Sequence, residues 1–198
     1  MSEARASALK KNGLTLVEAL MALGLAAVTG VLLTVIIVNS TGLYYKESSK
    51  LQEGLNVNDT LAKVRSYVKE SSGVVVSFSS GGTTYTSEIN QLVLKVPSFD
   101  SSNNIISTTY DYYVFFLDAG KLRFRIFPDV LSSRKPQDQI LTTLVDTLVF
   151  KYLDASVPPV EVPIVSAKKV LITLSLKQKA GAEYETITVS SEAYLRND

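Results

Sequence analysis

The sequence predicts an α+β fold: one long N-terminal helix, transmembrane in its first half, packed against an antiparallel β-sheet head. Three observations predict it. Residues 14–38 form an apolar run whose only charge is Glu18. Apolar positions then recur by threes and fours as far as Val68, the spacing of one helical face. Past Gly73 the texture changes to short β-like runs separated by turn residues.

The 198 residues leave room for one ordinary domain plus an additional segment. Beyond the first 13 residues, acidic and basic side chains nearly balance, so no electrostatic argument calls for nucleic acid as an obligate partner. The chain contains neither Cys nor His. That removes disulfides, thiolate and imidazole metal sites, Ser-His and Cys-His nucleophilic pairs, and the commonest general base at neutral pH. Enzyme activity is disfavoured, and no cofactor, metal or catalytic residue is expected.

As a helix, the 25 residues of 14–38 would extend about 37 Å, more than the roughly 30 Å of a bilayer's hydrocarbon core. A cleaved signal peptide has a shorter apolar core and a small-x-small exit, which this run lacks. Arg5, Lys10 and Lys11 precede it. By the positive-inside rule they hold the N-terminus in the cytoplasm and send the remainder outward. Tyr44 and Tyr45 suit an interfacial anchor at the far end. Glu18 is then a costly residue inside an apolar span, unless it stays close enough to the membrane edge to reach the headgroups.

Its neighbours supply a reason. The stretch Lys10-Lys11-Asn12-Gly13 followed by Leu14-Thr15-Leu16-Val17-Glu18 resembles the processing site of type IV prepilins and pseudopilins. In that family a membrane-embedded prepilin peptidase cuts after the glycine and methylates the new N-terminus. The resemblance implies cleavage between Gly13 and Leu14, with Lys10 and Lys11 as the leader's basic residues and Glu18 as the fifth mature residue. Leu14 departs from the Phe most members carry. Gly13, having no Cβ, suits the backbone shape a protease cleft demands. Cleavage would create an α-ammonium at Leu14, and a carboxylate four residues along can neutralise that of its own chain or of a neighbouring subunit. In the family the intersubunit pairing is taken to set register during assembly.

Leu51, Leu55, Leu61, Ala62, Val64 and Val68 continue the helix to a stop at Ser71-Ser72-Gly73. Gly24, Gly30, Gly42 and Gly54 weaken it, each by about 1 kcal/mol relative to Ala. The segments are a leader at 1–13, a transmembrane half at 14–38, an amphipathic half at 39–72 and a β-rich head at 73–198. Strands are expected at 74–78, 89–96, 108–117, 122–127, 147–153, 169–176 and 184–190. Tight turns are expected at 118–121 and 179–182. Residues 139–146 read equally as a short helix or a strand start, and 156–163, with three prolines, as a loop. Phe150 and Tyr152, then Val170, Ile172 and Leu174, then Leu195-Arg196-Asn197 resemble the C-terminal half of W-type minor pilins and of J-type minor pseudopilins of type II secretion.

Lys121, Arg123 and Arg125 put three cations on one strand face, either a DNA-gripping strip or a solvated edge; the solvated reading is preferred. The loop at 100–104 is rich in oxygen atoms, but a single carboxylate with no cage spacing argues against calcium. Asp111, Asp118, Asp129 and Asp138 read as surface or turn residues. The resemblance thus implies a minor pilin or pseudopilin, a structural subunit of the cytoplasmic (inner) membrane with an extracytoplasmic head. Its partners would be prepilin peptidase, other subunits through the N-terminal helix, an inner-membrane assembly platform and membrane lipid. Pilus, secretion and DNA-uptake machines all fit it. A signal-anchored extracytoplasmic binding or adhesion domain that never joins a filament is the alternative.

Overall fold

The computed structural model describes residues 15–180 and 183–196. Helix α1 is Leu16–Glu70. The strands are β1 (Gly73–Val74), β2 (Ser77–Ser80), β3 (Thr83–Thr86), β4 (Gln91–Phe99), β5 (Ile105–Asp118), β6 (Lys121–Phe127), β7 (Gln137–Thr142), β8 (Val145–Leu153), β9 (Lys169–Ala180) and β10 (Glu183–Tyr194), with one 3-10 turn at Ile164–Ser166. The α+β layout with a long N-terminal helix matches the expected fold class. The chain divides into two compact units, the first ending at Tyr45 and the second beginning at Lys46.

In the second unit the strands form two main antiparallel sheets instead of the one expected. One has five strands in the order β1-β4-β5-β6-β7, the other three in the order β10-β9-β8, and β2-β3 make a separate ribbon. Residues 74–78 are therefore not one strand: the chain leaves the edge of the five-stranded sheet after Val74 and starts the ribbon at Ser77. The β2–β3 turn, Gly81-Gly82, holds φ of 56° and 79°, as a type I′ hairpin requires. This Gly-Gly signal had no counterpart in the expected strands. The predicted turn at 118–121 is present, with Ala119 at φ 48° and Gly120 at φ 73° joining Asp118 to Lys121. The other expected turn falls at residues 181 and 182, outside the described residues. Residues 137–142 resolve as strand, and Leu144, at φ 59°, reverses the chain into β8.

The core is built from period-two and period-3.6 faces meeting. In β6, Leu122, Phe124 and Ile126 point inward while the intervening residues stay partly exposed. From the helix, Val57, Leu61, Val64 and Val68 enter the same cluster as Leu92, Phe115, Ile172 and Leu174. Ala62, expected on that stripe, is exposed, and Leu51 and Leu55 lie outside the described side chains. Tyr67 stacks on Phe124 with centroids 4.4 Å apart, which locks the helix to β6. Strand β4 is buried on both faces because the ribbon covers its far side, where Tyr85, Val93 and Val114 form a second cluster. The chain end is tied back: Leu195 N–H donates to the Lys168 carbonyl and Arg196 N–H to that of Ser71. Leu195 is buried, which accounts for its place in the C-terminal pattern, while Asn197 lies outside the described residues.

Candidate functional site

The first turn of α1 carries the site. Thr15 is the N-cap. Its backbone N–H and its hydroxyl donate to Glu18 Oε2 at 2.9 and 3.0 Å, while the Glu18 N–H donates to Thr15 Oγ1 at 3.3 Å. This is a reciprocal capping box, and it satisfies two of the donors that a helix start otherwise leaves unpaired. The carboxylate also sits where the helix dipole favours negative charge. Sequence reasoning attended to the charge of Glu18 and missed its local partner, although a Thr-x-x-Glu spacing ahead of an apolar run was the available signal. Both bonds fall on Oε2, so Oε1 has no partner among the described residues. Lys10, Lys11, Gly13 and Leu14, the other residues of the expected processing site, lie outside the described residues.

Behind this box, Leu16–Tyr44 is a 29-residue segment long and apolar enough to cross a membrane. None of its most apolar window is buried within the chain, unlike the core helix of a soluble domain, and a membrane anchor or a signal sequence has this character. Leu16, Val17, Leu20, Met21, Leu23 and Leu25 are all exposed, and exposure continues around every side of the helix through Val38. Its threonines need no water: the hydroxyls of Thr29, Thr34 and Thr41 donate to the carbonyls of Leu25, Gly30 and Ile37 at 2.8, 2.9 and 2.8 Å. Such back-bonding is how a hydroxyl is accommodated in a medium without hydrogen-bonding partners. A Cβ added at Gly24, Gly30 or Gly42 would meet open space.

In the head, the expected cation strip is largely neutralised. Arg123 pairs with Asp118 and Asp138, each at 2.8 Å, and Arg125 contacts Asp138 at 2.9 Å and the Tyr85 hydroxyl at 2.6 Å. Asp118 and Asp138 are thus charge partners, and the strip reads as a paired strand face. The Asp100 carboxylate is occupied by its own loop: Oδ1 accepts from the Ser102 and Asn104 backbone N–H groups, and Oδ2 from the Asn104 side chain. The Asn104 backbone bond leads in holding its carboxyl below the usual carboxylate range. Among the described residues no three acidic side chains converge where a metal could bind.

Asp111 is the main departure from a surface reading. It is fully buried, and its oxygens accept from the Ser98 hydroxyl (2.8 Å), the Asp129 backbone N–H (2.9 Å), the Ser132 hydroxyl (2.8 Å) and the Arg134 guanidinium. Burial alone would push its carboxyl up, but the bonds from Arg134, Asp129, Ser98 and Ser132 outweigh it and hold it below the usual range. This network pins the segment after β6 to β4 and β5, because Arg134 also reaches the Pro97 carbonyl. Burial pushes Tyr113 and Tyr152 up to about 12, so both hydroxyls stay neutral and serve packing and hydrogen bonding. No protein-family model matches the chain, and no curated protein matches it in sequence.

Proposed function

We propose that this chain is a pilin-like structural subunit, a minor pilin or pseudopilin that helps start or cap a type IV pilus or a secretion or competence pseudopilus. It is processed between Gly13 and Leu14, held in the cytoplasmic membrane by its apolar helix, and assembled through that helix with other subunits. The observation that carries the reading is the conjunction at one helix start. A basic stretch and a glycine lead into Thr15 and Glu18, whose carboxylate keeps one oxygen available, and then into a helix whose apolar side chains have no protein to cover them. A bilayer is one cover; neighbouring helices of the same kind, in a filament, are the other. The N-terminal basic residues support a cytoplasmic N-terminus and an extracytoplasmic head. Prepilin peptidase, the other subunits and an inner-membrane assembly platform are the partners, and no catalysis is assigned to the chain.

The capping box favours one rival. A helix that needs Glu18 only to start itself would serve equally well in a signal-anchored extracytoplasmic binding domain that never enters a filament. Terminal sequencing of the membrane-bound protein separates the two. The filament reading expects a mature terminus at Leu14, N-methylated; a chain that retains residues 1–13 in cells holding an active prepilin peptidase would end it.

A further inference from the structure

The four outer edges of the two main sheets are not equally protected. Strand β1 is two residues long. Strand β7 is short, and its Asp138 is held by Arg123 and Arg125. The outer edge of β8 is met by other chain segments: the Phe150 N–H donates to the Ile89 carbonyl, the Val162 N–H to that of Tyr152, and Leu153 bridges Glu161. Strand β10 differs. It runs twelve residues, Glu183–Tyr194, pairs only with β9 among the described residues, and contains no proline, lysine or arginine. Proline and lysine are among the devices that usually blunt an edge; the charges β10 does carry are Glu183, Glu185 and Glu192. Alternate residues of such a strand direct their N–H and C=O groups away from the neighbour they pair with.

An open hollow of about 430 Å³ lies along this edge, between β10 and the helix. Val189, Ser190 and Ser191 line it together. Successive side chains of a strand point to opposite faces, and those of Val189 and Ser190 do: Val189 packs on the core while the Ser190 hydroxyl bonds Thr173 across the other face. Val189 and Ser191 share the face turned toward the helix, so the hollow lies beside this stretch of β10. The opposite wall is one face of the helix, where Leu61, Arg65 and Lys69 fall at i, i+4 and i+8. Among the described residues no carboxylate lines the hollow. Among the described residues neither Arg65 nor Lys69 has an ion-pair partner.

The geometry points to a strand-docking site: an extended segment of a partner protein, carrying carboxylates on alternate residues, adds to the outer edge of β10 with its acidic side chains against Arg65 and Lys69. Main-chain hydrogen bonds to the edge supply affinity, and the two cations supply selectivity for acidic segments. The charges of β10 itself, Glu183, Glu185 and Glu192, are not among the described residues that line the hollow, so an acidic segment seated beside Val189–Ser191 meets Arg65 and Lys69 there. The site stands whether or not the chain enters a filament.

The test uses the full chain in detergent micelles and a fluorescent peptide of roughly nine residues, about 30 Å extended, with glutamate alternating with valine and threonine. Saturable binding is expected. It should weaken about tenfold or more when alternate peptide amides are N-methylated, which removes donors without changing charge, and by a similar factor when lysine replaces glutamate. The variant Arg65→Glu/Lys69→Glu alters exposed helix positions and should keep the wild-type melting temperature while losing about tenfold in peptide affinity. Equal affinity for the N-methylated peptide, or an unchanged affinity in the double variant, would overturn the proposal. So would self-association that blocks the edge and excludes the peptide.

Discussion

Leu16, Val35 and Ile37 in the N-terminal unit expose 80, 50 and 62% of their surface, whereas Leu92, Val64 and Ile172 in the second unit, the strand-rich head together with the helix stretch packed on it, expose none. The residue types are the same, so the difference lies in pattern. In the head, apolar residues alternate along strands or repeat on one helical stripe, and each face has a partner element. In the N-terminal helix they surround the axis, so no single partner surface covers them. Polar groups divide the same way. Hydroxyls of the apolar segment bond to carbonyls of their own helix, while Asp111 in the head gathers four donors from two distant segments, Ser98 on β4 and the stretch 129–134. The apolar segment bonds its hydroxyls within its own helix and depends on its surroundings for apolar contact; the second unit builds its core and its Asp111 network from its own residues.

The sharpest way to break that contrast is to damage the head's core alone. Phe124 is fully buried and lies 4.4 Å from Tyr67 and 4.7 Å from Phe115, centroid to centroid. Phe124→Ala should lower head stability by about 3–5 kcal/mol and leave membrane integration of the helix unchanged. Chemical unfolding in detergent, followed by tyrosine absorbance, measures the first, and alkaline extraction of membranes the second. A loss under about 1 kcal/mol would mean that the aromatic stack does not hold the helix to the sheet.

Asp111→Asn is expected to cost about 3 kcal/mol or more, because it leaves Arg134 without the carboxylate it faces. The pH dependence has a definite sign. The folded carboxyl is held below its ordinary value, so its contribution is complete above the unfolded pKa of about 3.9. It is lost as pH falls through the lower folded value. The wild-type head should therefore lose stability from about pH 4 downward, and the variant should show a shallower acid limb over the same window. Parallel slopes in the two proteins would remove Asp111 as the source.

The N-terminal unit should respond in the reverse way. Val28 is exposed near the middle of the apolar segment, and Val28→Asp should disfavour membrane insertion by about 2.5–3.5 kcal/mol while the head unfolds as before. Unimpaired integration would place that helix outside the bilayer.

Much of this division was legible in the sequence because each pattern is local. The unbroken apolar run, the three-four spacing from Leu61 to Val68, and the alternation in Leu122, Phe124 and Ile126 each need only a window of a few residues. What escaped depends on distant partners or on backbone sign. Residues 74–78 read as one strand because nothing local says that the chain changes sheets after Val74. Asp111 reads as a surface residue because Ser98, Asp129, Ser132 and Arg134 lie 13 to 23 positions away. The Thr15–Glu18 box is the opposite case: it is local and spaced by three, and it was hidden by the attention its charge drew.

That box permits the finest separation. Glu18 has two distinct properties, an acceptor that closes the helix start and a negative charge, and they can be removed one at a time. Glutamine at the third helical position still completes a capping box but carries no charge. If Glu18 serves only the helix start, Glu18→Gln should behave as wild type, and Glu18→Ala should fray the first turn much as Thr15→Ala does. Loss of an N-cap threonine is worth about 0.5–2 kcal/mol. If the charge is what neighbouring subunits require, Glu18→Gln and Glu18→Ala should both insert in the membrane and both fail to assemble, while Thr15→Ala assembles. Filament or secretion output for the three variants, beside amide exchange over the first helical turn, distinguishes the outcomes. Full output from Glu18→Gln would reduce Glu18 to a helix cap and leave the filament reading without its explanation for the charge.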